Sequence, residues 1–361
     1  MPPLVQHIRL LSTAHRQHFT GVTMGKIAAS FFVLCLTALP AFAAVDRSII
    51  PAEAQWLVHL DVQGLLNSRL FSEAQERETD LDFDNNRDYQ EMKARLGIDI
   101  TKDVDSVTIY GLPRHPEAVV FMAHSHRDLD EVMVRLSVLA PRTDVEVDGL
   151  QLSRWAPPEG NKTVYSYLAR HADSDERILL VAQDANDLVI GIEALRGESA
   201  TLDDGDSELG VSATDGAILQ VSADGQLADW ADVEPASNIA KLVRSAVVEF
   251  GENSSAVYAH VTVETASAAD AARVTQILQG AMALASLASE MEKQLKDLLP
   301  LLQGLKFHAD GSTLTIHFEH DLDDLIAMLE NTVQRTTIEE FTTKPKSKPK
   351  RNKPATGSKW Y

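Results

Sequence analysis

"QWLVHLDVQGLLNS" (residues 55–68) decides the fold, because it changes period within one short stretch. Residues 54–62, "AQWLVHLDV", form an apolar run with polar alternates, the pattern of a strand. Leu65, Leu66, Leu70 and Ala74 then recur at helical spacing through "QGLLNSRLFSEAQERE" (63–78). The same alternation of strand and helix continues outward. A second helix, "YQEMKARLG", closes at Gly97, and two strands follow, "VDSVTIYG" (104–111) and "EAVVFMAHS" (117–125), joined by the proline-containing turn "LPRHP". "RDLDEVMVRLSVLA" (127–140) reads as a helix with Leu129, Val132, Met133, Leu136 and Leu139 on its apolar face. It stops before Pro141. "TDVEVDGLQLSRWA" (143–156) is a hairpin turning at Asp148-Gly149, and "KTVYSYLAR", "RILLVAQ" and a helix "DLVIGIEALRG" complete this part.

Residues 197–216, "GESATLDDGDSELGVSATDG", are short of large apolar residues and rich in turn formers, which places a boundary there. Beyond it the order recurs. "GAILQVSADGQLADW" (216–230) parallels the opening stretch as strand and helix start, "SNIAKLVRSAVVEF" (237–250) supplies a second helix, and "SAVYAHVTVE" (255–264) is a strand. A long helix runs from about Ala268, and "LQGLKFHADGSTLTIHFEH" (302–320) forms a hairpin around Asp310-Gly311. The exits of the two parts match best: "QDANDLVIGIEAL" (183–195) against "EHDLDDLIAMLEN" (319–331), with Asp184 or Asp321 as helix cap and Asp187 or Asp324 at the third helical position. Ancestral duplication and common strand-to-helix grammar both produce such a match.

The expected class is therefore α+β, with two similar halves of mostly antiparallel sheet and helices packed on one face. The expected organisation is a mis-assigned extension at 1–23, a signal peptide at 24–43, a first half at 44–200, a link at 201–216, a second half at 217–338 and a disordered basic tail at 339–361. "PAEAQWLVHLDVQGLLNSRLF" followed by "LGIDITKDVDSVTIYG" resembles exported bacterial proteins of unknown function that open with a strand ending in His-Leu-Asp-Val and a helix ending near Ser-x-Leu. The resemblance spans about the first 80 residues after the signal. It implies export and a mixed fold, and it transfers no catalytic residue.

Address follows from "MGKIAASFFVLCLTALPAFAAVD" (24–46). Lys26, the apolar run Ile27 to Leu39 and the small-residue pattern Ala41-Phe42-Ala43 have the order of a secretory signal cleaved after Ala43. As a helix that run extends about 20 Å, short of a hydrocarbon core of roughly 30 Å. Residues 1–23 carry neither apolar periodicity nor acidic residues, so Met24 reads as the start. The single cysteine, Cys35, falls inside the run after Leu34, not after a small residue at its end, which argues against a lipoprotein. After cleavage no cysteine remains, which excludes disulfides, thiolate nucleophiles and cysteine metal sites. The expected location is periplasmic or extracellular.

Net charge is −20 overall; setting aside Arg9, Arg16, Lys26 and the seven cations from Lys344 to Lys359 leaves −30 on residues 44–341. Such a body is a poor partner for nucleic acid. The tail "TTKPKSKPKRNKPATGSKWY" alternates lysine with proline and has little to bury, so disorder is expected. Lys344–Lys359 reads either as a tether to an anionic envelope surface or as a solvated end.

Site candidates are few. "DLDFDNNRDYQE" (80–91) places Asp80, Asp82, Asp84, Asn86, Asp88 and Glu91 at the ligand positions of a twelve-residue calcium loop. Asn85 stands where that loop has glycine, and Arg87 where it has an aliphatic residue. The plain alternative is an acidic, solvated link. His59 with Asp61, His124 with His126, and His308 with His317 and His320 group loosely; His124 and His126 share a face if both lie in a strand, whereas His317 and His320 point to opposite faces. No G-x-S-x-G, H-E-x-x-H, G-x-G-x-x-G or P-loop pattern occurs. In the long helix near the end, Val274, Ile277, Ala281, Leu284, Ala288, Met291, Leu295, Leu298, Leu302 and Leu305 alternate steps of three and four as a heptad seam that Leu278, Leu287 and Leu299 widen, a pattern for packing across a sheet more than for a dimer, with Pro300 expected to kink or end the helix.

The expected function is an exported non-catalytic binding or structural module of the bacterial envelope or exterior, without cofactor, its partner a protein or envelope polymer. The alternative is a hydrolase using carboxylates that no motif exposes. A calcium-binding protein acting through residues 80–91 is the second alternative.

Overall fold

In a computed structural model of the chain, residues 45–77, 83–114, 118–156, 162–170, 176–204, 209, 217–225, 239–291 and 299–328 are described. The expected signal, the extension before it, most of the expected link and the basic tail lie outside them.

Strand β1 (Trp56–Asp61) runs into helix α1 (Val62–Leu66), whose first turn is capped by Asp61. The single helix expected over 63–78 is two, because Asn67 and Ser68 interrupt it: the Asn67 N–H closes α1 on the Gln63 carbonyl, and the Ser68 hydroxyl accepts the Phe71 N–H to start α2 (Arg69–Arg77). Helices α3 (Arg87–Leu96) and α4 (Ile100–Asp103) follow, α3 ending on Gly97 in the left-handed conformation at φ 73°. Next come β2 (Val104–Gly111), β3 (Val119–Ser125), helix α5 (Asp130–Leu139), β4 (Arg142–Val147), β5 (Leu150–Trp155), β6 (Val164–Arg170), β7 (Arg177–Ala182) and helix α6 (Ala185–Leu195). The β4–β5 turn uses Asp148 and Gly149, both at positive φ (50° and 78°), as the Asp-Gly pair requires.

After these elements come β8 (Ala217–Asp224), β9 (Val243–Glu252), β10 (Ala256–Thr265), helix α7 (Ala268–Met291), helix α8 (Leu299–Gln303), β11 (Lys306–Asp310) and β12 (Thr313–Asp321). This compact unit ends at Leu322. A second unit begins at Asp323, of which residues 323–328 are described and are helical.

The twelve strands among the described residues form one sheet in the order β11-β12-β10-β9-β8-β1-β2-β3-β7-β6-β5-β4, and each pairing is antiparallel. The protein is therefore α+β. Read outward from the central β1–β8 pair, β1-β2-β3-β7-β6 on one side repeats as β8-β9-β10-β12-β11 on the other. Each half places a helix after its third strand, and the β4–β5 hairpin extends the first half alone. The halves are continuous, not separate bodies. Leu202 and Leu209, at the start of the expected link, are buried in the first half's core.

The helical reading of 237–250 is overturned. Ile239, Leu242, Val243 and Ala246 have helical spacing, but of the described residues in this stretch only 239–240 are helical, and residues 243–252 form β9. The reason is tertiary: β9 lies between β8 and β10, where pairing on both edges and packing of its β-branched residues outweigh a local period.

Each half keeps its core on one face, and the two faces are opposite. Directly opposed residues of an antiparallel pair share a face. By that register Leu57, Tyr110, Val120 and Ala182 lie together, beneath Leu188 and Ile192 of α6. Val263 and Leu314, which meet Val274 and Leu278 of α7, lie on the other face. The apolar stripe of α7 divides accordingly. Its start packs on the sheet through Val274 and Leu278, whereas Leu284 and Leu287 are 69% and 59% exposed. No helix among the described residues is long and apolar enough to cross a membrane.

Candidate functional site

The face that α6 covers in the first half turns polar as it crosses the middle of the sheet. One row of directly opposed residues shows the change. It begins apolar, with Leu180 on β7 and Met122 on β3, and reaches Thr108 on β2 and His59 on β1. It continues through Gln220 on β8, Glu249 on β9, His260 on β10, His317 on β12 and Lys306 on β11. His59, Thr108, Gln220 and Glu249 are buried, His260 and His317 are half-buried, and Lys306 is exposed.

Burial of such groups requires partners. His59 Nδ1 lies 2.8 Å from Thr108 Oγ1, Gln220 Nε2 donates to Ser222 Oγ at 3.3 Å, and Asp61 Oδ1 accepts the Gly64 N–H at 2.8 Å. The last bond shows that Asp61 serves the start of α1. His59 and Asp61 do share a face as expected, each with a structural role.

At the open end, the His260 and His317 rings sit 4.6 Å apart between centroids, and the Tyr258 ring is 5.1 Å from His260. Gly251 makes room for Tyr258: a Cβ there would fall 1.9 Å from the tyrosine Cζ. Burial, then the neighbouring His317, hold His260 below the ordinary histidine value, opposed by Glu249 and Glu319. His317 Nε2 lies 3.6 Å from Glu319 Oε2. His260 could not be tied to His317 before the register was known; the alternation in "AVYAHVTVE" fixes only its face.

The remaining histidines are placed apart. His124 Nδ1 meets Glu176 at 2.7 Å, while His126 lies beyond the end of β3, exposed and 2.9 Å from Asp105. The two therefore do not share a strand face, because the strand stops at Ser125. His308 is exposed on β11, and His320 lies on the opposite face of β12 from His317, with its ring stacked 6.1 Å from Phe318.

Of the calcium window, Asp80 and Asp82 lie outside the described residues. The rest serves helix α3. Asn86 caps it by accepting the Tyr89 N–H at 3.0 Å, Asp88 stands in its first turn, Asp84 precedes the cap in a turn, and Glu91 pairs with Arg95 one turn on. Among the described residues no three of His, Asp and Glu already converge as a metal set.

Beside this window Asp99 gathers a polar cluster. Tyr89 Oη and Thr101 Oγ1 donate to Oδ1 at 2.5 and 2.6 Å, and Lys93 Nζ lies 2.6 Å from Oδ2. Burial pushes this carboxyl up, but the Lys93, Thr101 and Tyr89 hydrogen bonds together outweigh it and hold the group well below the usual carboxylate range. A depressed folded value means that the contribution to stability is present above the unfolded value near pH 4 and is lost as pH falls below it. Asp99→Ala is expected to cost about 1–3 kcal/mol at pH 7 in a urea titration, and less at pH 3. An equal loss at both pH values would refute the role.

No family model matches the chain, and no curated protein matches it. Among solved structures, crystal forms III and I of TP0453 match, each with a TM-score of 0.37 and 8% identity. The matches cover 80% of this chain, and 100% and 98% of the other.

Proposed function

We propose that this chain is an exported, non-catalytic binding or structural module of the bacterial envelope or exterior. One observation carries the reading. With α7 on the face of Val263 and Leu314, the other face of β10, β12 and β11 offers Tyr258, Thr262, Thr315 and Glu319, half-buried or exposed, as a broad polar platform. Hydroxyls and aromatic rings on a rigid sheet suit an extended polar partner such as a protein strand or an envelope polymer. Export rests on residues 24–43, and the tether role of Lys344–Lys359 on the tail's charge; both segments lie outside the described residues.

Co-sedimentation with isolated cell walls tests the reading. Thr262→Gln with Thr315→Gln, which enlarges both side chains without adding charge, is expected to lower retention at least tenfold while the thermal midpoint holds, and removal of residues 342–361 to lower it further at low salt. Retention unchanged by the face variant, or absent in the parent chain, would refute the platform. Mass spectrometry of the secreted protein should find Ala44 at its start.

A further inference from the structure

We propose that His260 and His317 form a bidentate site for a divalent transition-metal ion, Cu²⁺ ahead of Ni²⁺ and Zn²⁺, on the open face of β10 and β12. The inference stands apart from the platform's partner, since it needs only the two imidazoles and their neighbours. They are directly opposed across one antiparallel pair, with ring centroids 4.6 Å apart and an interplanar angle of 41°. Opposed Cβ atoms in such a pair lie about 4.5–5.5 Å apart, so modest rotation of both rings brings one nitrogen from each onto a single ion at metal–nitrogen distances of about 2.0–2.1 Å. Hydrogen-bonded strands on both sides fix the two backbones, so little order is lost on binding.

The surroundings favour a cation. An imidazole must be unprotonated to coordinate, so the ion competes with protons for both rings. Glu249 opposes His260 from β9, and Glu319 reaches to 3.6 Å of His317 Nε2, close enough to orient the ring or supply an oxygen. Lys306 opposes His317 from β11, but it is exposed, and its long stem lets the ammonium move into water. The remaining positions fall to water. Three other imidazoles already have partners, His59 with Thr108, His124 with Glu176 and His126 with Asp105, and His308, exposed on β11, lies on the same face diagonal to His317. The order of ions follows the general affinity of nitrogen donors for first-row metals.

Titration of the full chain with Cu²⁺ alone, followed by calorimetry and electron paramagnetic resonance, tests the proposal. One site with a two-nitrogen hyperfine pattern is expected, weakened at least tenfold by His260→Gln and by His317→Gln, unaffected by His126→Gln, and lost on acidification through the imidazole range. Should either variant misfold, paramagnetic broadening in the parent chain locates the ion independently, with the His260 and His317 ring protons broadened first. Cu²⁺ affinity unchanged in the His260→Gln/His317→Gln double variant, broadening centred elsewhere, or no binding at millimolar Cu²⁺ overturns it.

Discussion

Leu180→Ala is expected to lower the unfolding free energy by about 2–5 kcal/mol, read as a fall in the urea midpoint without a change in slope. Leu180 is fully buried on β7 where α6 covers the sheet, and truncation there forfeits the transfer energy of the lost carbons and leaves a cavity that close-packed neighbours fill only in part. Leu284→Ala removes the same atoms from a residue 69% exposed, and its expected effect is within about 0.5 kcal/mol. The contrast decides whether α6 is the structural cover of the first half. Equal effects would mean that the Leu180 face is not packed as described.

Gly191→Val is expected to cost about 3 kcal/mol or more, through overpacking rather than a cavity. A Cβ at Gly191 would lie 2.5 Å from Tyr110 Oη and 3.1 Å from Leu180 Cδ2, so α6 would have to lift from the sheet. Tyr110 cannot swing aside, being fully buried. Its hydroxyl has no hydrogen-bond partner among the described residues, and burial holds it well above the usual tyrosine range. Tyr110→Phe is therefore expected to be neutral or stabilising by up to about 1 kcal/mol, since it removes an unsatisfied polar atom. A double-mutant cycle makes the test specific. Gly191→Ala should be destabilising alone and markedly less so in the Tyr110→Phe background, because the hydroxyl is the clashing atom. Additive effects would place the conflict elsewhere.

Both effects depend on α6 lying flat on a sheet whose face is set by register, and register is not a local property of the sequence. The strands at 56–61, 104–111 and 256–265, and both hairpins, follow from alternation and turn residues alone, since a side-chain period of two and an Asp-Gly turn are encoded within a few residues. The strand at 243–252 was not legible, because its residues also satisfy a helical period and only the strands on either side select between the two. For the same reason the calcium window could be read as a ligand set. Its acids have the right spacing in sequence, while the placement of Asn86 and Glu91 on α3 follows from capping and an ion pair one turn apart.

Composition and order by themselves determined an acidic α+β chain built from two similar halves, because charge, period and turn chemistry act over short distances along the chain. Only the tertiary structure decided that the halves share one sheet, that their cores lie on opposite faces, and that Glu249, His260 and His317 stand side by side. Glu249 and His317 are far apart in sequence, and nothing local to either encodes the other. Their meeting is fixed by backbone pairing of β9, β10 and β12, where a slip of one residue would turn every side chain to the other face.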